Sequence, residues 1–149
     1  MTEVLFYHLQ NAPLERVLPD LLERSLQRGW RAIVRAGGKE RLEALNNTLW
    51  TYRDDSFLPH GTAEDGPPEL EPVFLTTEAD NPNGANVLFL VDGAEPGDVA
   101  GYERCVLMFD GRDAEAVAAA RSHWKTLKDA GHDATYWQQS EAGKWEQKA

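Results

Sequence analysis

Within its first fifty residues the chain alternates twice between a short apolar run and an amphipathic stretch, and this alternation limits the fold more than any other feature. Val4-Leu5-Phe6-Tyr7 is compact and rich in aromatic residues, as a strand requires. Pro13 then suits the first turn of a helix, where its missing N–H and fixed φ do no harm. Over residues 14–28, Val17, Leu18, Leu21, Leu22 and Ser25 recur at helical spacing between Glu15, Arg16, Glu23 and Arg24. Gly29 follows, where helices commonly end in left-handed backbone. Residues 30–36, centred on Ile33 and Val34, predict a second strand, and Gly37-Gly38 a turn. Residues 39–50 predict a second helix, with Leu42, Leu45, Leu49 and Trp50 on its apolar side. Strand, helix, strand, helix at this spacing is the signature of a βαβ unit and a parallel sheet.

The remainder extends the same α/β pattern after an irregular stretch. Four prolines and two glycines between Pro59 and Pro72 dictate a long connection without regular structure, with one very short strand expected at 56–58. Residues 73–76 predict another short strand, and Asn81-Pro82-Asn83-Gly84 a turn. Residues 86–91 (NVLFLV) and 104–109 (RCVLMF) are continuous apolar runs, the pattern of strands buried on both faces. Residues 92–98 read as a loop and 99–102 as a short helical turn. Asp113 suits the N-cap of a helix from residue 114 to about 130, rich in strong helix formers and ended by Gly131. Residues 134–138 predict a last strand, and 140–149 a polar tail that frays. The reading is one α/β domain over residues 1–149, without repeats.

Composition decides which functions remain. With 149 residues, 42% apolar and 27% charged, the chain can bury enough surface to fold without disulfides or metals. Its single cysteine, Cys105, excludes an intramolecular disulfide and a CxxC metal site. Beside Val106, Leu107 and Met108 it reads as a small buried hydrophobe of a reduced cytosolic protein. The opening MTEVLFYHLQ has no basic region, and no window approaches the ~20 apolar residues of a membrane span. A cytoplasmic protein is expected. The net charge of −10 opposes binding of a phosphate backbone through the global field. Any role near DNA must pass through another protein or a local basic patch.

No catalytic constellation emerges. Gly37-Gly38-Lys39 lacks the spacing of a phosphate loop, and Glu40 would repel a phosphate. No GxGxxG follows the first strand. His8, His60, His123 and His132 have no partners at metal-ligand spacing and read as surface or loop residues. Ser56 near His60 lacks the GxSxG elbow, and Asp54-Asp55 reads as a solvated loop. No cofactor is expected.

Two constellations look like docking surfaces instead. In LWTYRDDSFLPHG, residues 49–61, Trp50, Tyr52, Phe57 and Leu58 crowd a proline-containing turn. Exposed aromatics at this density mark interfaces; alternatively, Trp50 and Phe57 plug the edge of the core. On the long C-terminal helix, Arg121, Lys125 and Lys128 stack at i, i+4 and i+7, with Trp124 between them and the apolar stripe of Val117, Ala120 and Leu127. A basic ridge beside an aromatic edge suits a short acidic peptide with an apolar side chain and a free carboxylate. The alternative is a solvated face whose cations favour the helix C-terminus.

The opening VLFYHL, the βαβ start, the LW…SFLPHG segment and the helix ARSHWKTLKDAGH, in that order, resemble the chi subunit family of bacterial DNA polymerase III. The resemblance covers nearly the whole chain, and LW…SFLPHG is its most specific piece. It implies a Rossmann-like three-layer sandwich that binds no nucleotide. It implies a non-catalytic subunit of the polymerase holoenzyme, monomeric or heterodimeric, that touches DNA only indirectly. Two partners follow from it: the psi subunit, which tethers chi to the clamp loader, and the acidic C-terminal tail of single-stranded DNA-binding protein. Trp50, Phe57, Leu58 and Pro59 fall on the family's psi-facing loop. Arg121, Trp124 and Lys125 fall on its tail-binding helix, and Lys128 extends the basic stripe. The acidic linker with Glu64, Asp65, Glu69 and Glu71, and the closing EAGKWEQKA, depart from the family pattern. The competing readings are a small α/β nucleotide-binding domain or enzyme, and a stand-alone regulator docking by the Trp50 loop.

Overall fold

The two continuous apolar runs become the middle of a seven-stranded sheet. The computed structural model describes residues 2–10, 13–51, 58–141 and 144–149. In chain order the elements are β1 (Glu3–Leu9), α1 (Leu14–Gln27), β2 (Ala32–Ala36), α2 (Lys39–Thr51), β3 (Val73–Thr76), β4 (Val87–Val91), β5 (Arg104–Asp110), α3 (Ala114–Asp129), β6 (Asp133–Gln139) and β7 (Trp145–Gln147). The strands order as β3-β2-β4-β5-β1-β6-β7, parallel except for β7. Every residue of β2 and β4 is buried, which is why neither alternates apolar with polar.

Two apolar layers lie on opposite faces of the sheet. Leu18, Leu22, Leu45 and Leu49 bring α1 and α2 against Val34, Phe89 and Val106 on one face. Ala120 and Leu127 bring α3 against Phe6, Leu107 and Ala134 on the other. The result is a single three-layer α/β sandwich, as expected. Ser25 sits inside the apolar stripe of α1 because its hydroxyl donates to Leu21 O at 2.9 Å, leaving no polar group unsatisfied. Arg35 is buried in β2 for a similar reason: its guanidinium donates to the carbonyls of Glu78, Glu95 and Pro96. Cys105 is fully buried, and desolvation pushes its thiol up to about 12. Gly29 and Gly131 end α1 and α3 at φ 82° and 90°, the left-handed backbone expected of them.

Several expectations change. The short strand expected at 56–58 falls partly outside the described residues, and Leu58 belongs to no strand. Pairing in this region is made by Gly61, which bridges to Phe74 at the sheet edge. The helical turn expected at 99–102 is one hydrogen-bonded turn, closed by Tyr102 N donating to Val99 O at 3.2 Å. The closing segment does not fray through its length: β7 pairs antiparallel with β6. Trp145 fixes it there, its ring 4.7 Å from that of Tyr7. His8 lies within β1 rather than in a loop, and His60 lies in a loop as expected but is buried.

Candidate protein-docking surfaces

Asp113 accepts hydrogen bonds from the N–H groups of Glu115 and Ala116 and so sets the start of α3. From that start, helical geometry turns Ala120 and Leu127 into the core and leaves Arg121, Lys125 and Lys128 exposed. None of these three cations makes a salt bridge among the described residues, whereas Arg41, Arg104 and Arg112 all do. Trp124 lies half-buried between ridge and core, edge-on to Phe6 at 5.3 Å. Lys128 Nζ stands 4.9 Å over the Trp124 ring, a cation–π contact that braces the indole from outside. The basic stripe and its aromatic border therefore exist as the sequence spacing placed them.

Beyond Trp124, between α3 and β6, lie two side chains that the sequence reading did not assign to a docking surface. Tyr136 lies 6.1 Å from Trp124, ring to ring, and its hydroxyl is 2.6 Å from His8 Nδ1. Burial raises the Tyr136 phenol above its ordinary range, opposed by the positive charge of Arg121. Burial holds His8 below its ordinary 6.5, opposed by the carboxylate of Asp110. Alternation along VLFYHL and ATYWQ could have placed His8 and Tyr136 on like faces of their strands, but not those strands side by side.

The Trp50 region divides. Trp50, near the end of α2, is 49% exposed, and its ring lies 4.4 Å from that of His60. Leu58 is 2% exposed and belongs to the core, so it supports the surface from below and is not itself open to a partner. Pro59 is half-buried, and Phe57 lies outside the described residues. His60 is 5% exposed; Leu58 O lies 2.7 Å from its Nδ1, and its Nε2 has no hydrogen-bond partner among the described residues.

A cavity of about 690 Å³ opens at the carboxyl ends of β1, β4 and β5. Open α/β sheets place nucleotides at such a crevice. Here the lining carries six carboxylates, among them Glu15, Asp92 and Asp110, against two arginines. Arg41 is already held by Glu15 and Asp92 at 3.1 and 3.2 Å, and Arg112 by Asp110 at 3.3 Å. A phosphate would enter a negative field with its cations spoken for. The Gly37-Gly38 turn also has a structural cause: a Cβ on Gly37 would collide with Asp92 O. No group of three or more His, Cys, Asp or Glu side chains is placed to hold a metal among the described residues.

The family model described as DNA polymerase III chi subunit, HolC, matches residues 1–135. The chain belongs to the DNA polymerase III chi subunit family. A relative from Rickettsia prowazekii (strain Madrid E), described as a probable DNA polymerase III subunit chi, is 31% identical over 100 residues. That match covers 67% of this chain and 59% of the relative, so the chain accounts for less than two thirds of the relative's length. The stretch matching the chi model ends one residue before Tyr136, and β7 lies beyond it as well.

Proposed function

We propose that this chi-family chain is a non-catalytic accessory subunit of DNA polymerase III in replication. It joins the clamp loader to single-stranded DNA-binding protein by holding that protein's acidic C-terminal tail. The observation that carries the reading is the ridge of Arg121, Lys125 and Lys128, unpaired among the described residues and bordered by Trp124, on a chain of net charge −10. Cations left without internal carboxylates are available to external ones. The Arg121 guanidinium offers two parallel donors to a carboxylate, and Lys125 adds a mobile point charge. The half-buried indole of Trp124 gives an apolar side chain a rigid surface to pack on. On the α2 side of the sheet, Trp50 and Pro59 form the face for psi, to which the sequence pattern also assigns Phe57, and Leu58 holds that face from within. Contact with DNA is indirect, because the overall field repels phosphate.

Calorimetric titration with a synthetic peptide of the tail tests the reading. Micromolar affinity is expected, about −7 to −8 kcal/mol, and it weakens as salt screens the charges. Arg121→Glu and Lys125→Glu each weaken binding about tenfold or more by replacing attraction with repulsion. Affinity unchanged in both variants would remove the assigned site.

A further inference from the structure

The parallel register sets Phe6 opposite Tyr136 and His8 opposite Gln138. His8 and Tyr136 therefore stand on one face of the sheet, a diagonal step apart, within reach of each other. His8 Nδ1 and the phenol oxygen are 2.6 Å apart. Phe109 holds both rings, 5.2 Å from the imidazole and 6.0 Å from the phenol. Gly111 completes the clamp, since a Cβ there would collide with the His8 ring. The imidazole is thus fixed with Nδ1 toward the phenol.

This hydrogen bond can run in either direction, because a neutral imidazole has two tautomers. With Nδ1 as acceptor, the phenol hydrogen is consumed inside the protein. With hydrogen on Nδ1, the imidazole donates to the phenol oxygen, and the phenol hydrogen is free to leave the pair. Arg121 stands one helical turn before Trp124, whose ring is 6.1 Å from that of Tyr136, and its positive charge opposes the rise of the phenol. A phenol hydrogen released from His8 and the Arg121 guanidinium then address one anion.

We propose that Tyr136, oriented by His8, is a further contact on the β6 flank of α3, donating its phenol hydrogen to a peptide's terminal carboxylate that Arg121 also holds. The proposal rests on the reading of α3 as the tail-binding helix and adds a residue and a regulation to it. Carboxylate binding selects the forms of His8 with hydrogen on Nδ1, which include the imidazolium. The groups that face His8 are Tyr136 from β6 and Asp110 at the end of β5, the latter engaged by Arg112; Arg121 acts through Tyr136. In the free protein burial disfavours the charged ring, and a bound carboxylate shifts the balance toward it by adding a negative charge and removing the form in which Nδ1 accepts the phenol hydrogen. Peptide affinity therefore rises as pH falls from about 7.5 to about 5.5, a range in which carboxylates stay ionised and Arg121 and Lys125 stay charged.

The test titrates the full chain with an acidic peptide ending in an apolar residue, as the free acid and as the C-terminal amide, across this pH range. Tyr136→Phe keeps the ring and removes the hydroxyl. It should weaken binding of the acid about tenfold, leave the amide nearly unchanged, and flatten the pH profile. His8→Asn places an amide N–H near the position of Nδ1 without a titrating group; it should keep the preference for the acid and lose the pH dependence. Circular dichroism of both variants confirms the fold. If Tyr136→Phe keeps the acid-to-amide ratio and the pH profile of the wild type, the role of Tyr136 is overturned and the tail reading stands. If the wild type binds neither peptide at any pH, both are overturned.

Discussion

The two flanks of α3 carry opposite charge. On the β6 side, Arg121, Lys125 and Lys128 stand over an aromatic floor without salt-bridge partners among the described residues. On the β4 side, Glu95, Asp113 and Glu115 rim the crevice where a sheet of this kind ordinarily holds a ligand. One helix supplies residues to both walls. The difference teaches that the fold's habitual pocket and the charge available for an acidic partner have been separated. Architecture alone points to the acidic side of α3; the cations without salt-bridge partners among the described residues stand on the other.

Reversing charge on the basic flank should break this contrast most sharply. The double variant Arg121→Glu/Lys125→Glu should lose about a hundredfold or more in tail-peptide affinity, while Glu95→Lys across the helix changes it by no more than about twofold. Comparable losses in both would mean that the crevice shares in binding. Trp124→Ala tests the border between ridge and core. It should destabilise the fold by about 2–3 kcal/mol, below the full cost of a buried tryptophan because the ring is half-exposed, and also weaken the peptide. Denaturant melts paired with titrations separate the two effects. Asp113→Ala removes the N-cap common to both flanks, at about 1 kcal/mol of stability and with peptide affinity nearly unchanged. Millimolar ATP or NAD should produce no thermal shift through the acidic crevice; a shift of several degrees would make that flank a ligand site. The smallest effect is on pH. Because burial holds His8 below 6.5, its contribution to stability is present above that value and lost as pH falls through the folded-state pKa. His8→Phe should flatten this part of the stability profile.

Much of the frame was legible before the structure. Val4-Leu5-Phe6-Tyr7, the NVLFLV and RCVLMF runs, and the caps Asp113, Gly29 and Gly131 each carry a local reason for their conformation. The stripe of Arg121, Lys125 and Lys128 followed from helical periodicity alone. What escaped depends on neighbours distant in sequence. Trp145 turns a polar tail into β7 only because Tyr7 waits 4.7 Å away. Leu58 looked like an interface residue because its segment is irregular, yet tertiary packing buries it beside Leu49 and Leu75. His8 and Tyr136, 128 residues apart, become partners through strand order, which periodicity does not encode. The acidic crevice likewise gathers Glu15, Asp92 and Asp110 from three separate segments.

The position of β1 has a consequence for how the protein comes into being. It lies between β5 and β6, with Val4 opposite Cys105 on one side and Ala134 on the other. During synthesis it is therefore made before the other strands of this sheet, and it waits for β5 to find its first neighbour. At ribosomal speeds of about 5–20 residues per second, an apolar strand waits on the order of 5–20 seconds for its first partner. Throughout that interval its backbone and its aromatic side chains are open to other chains. The nascent protein is thus most vulnerable to aggregation before its C-terminal half emerges, and its folding is governed by long-range pairing more than by the local helices that form early.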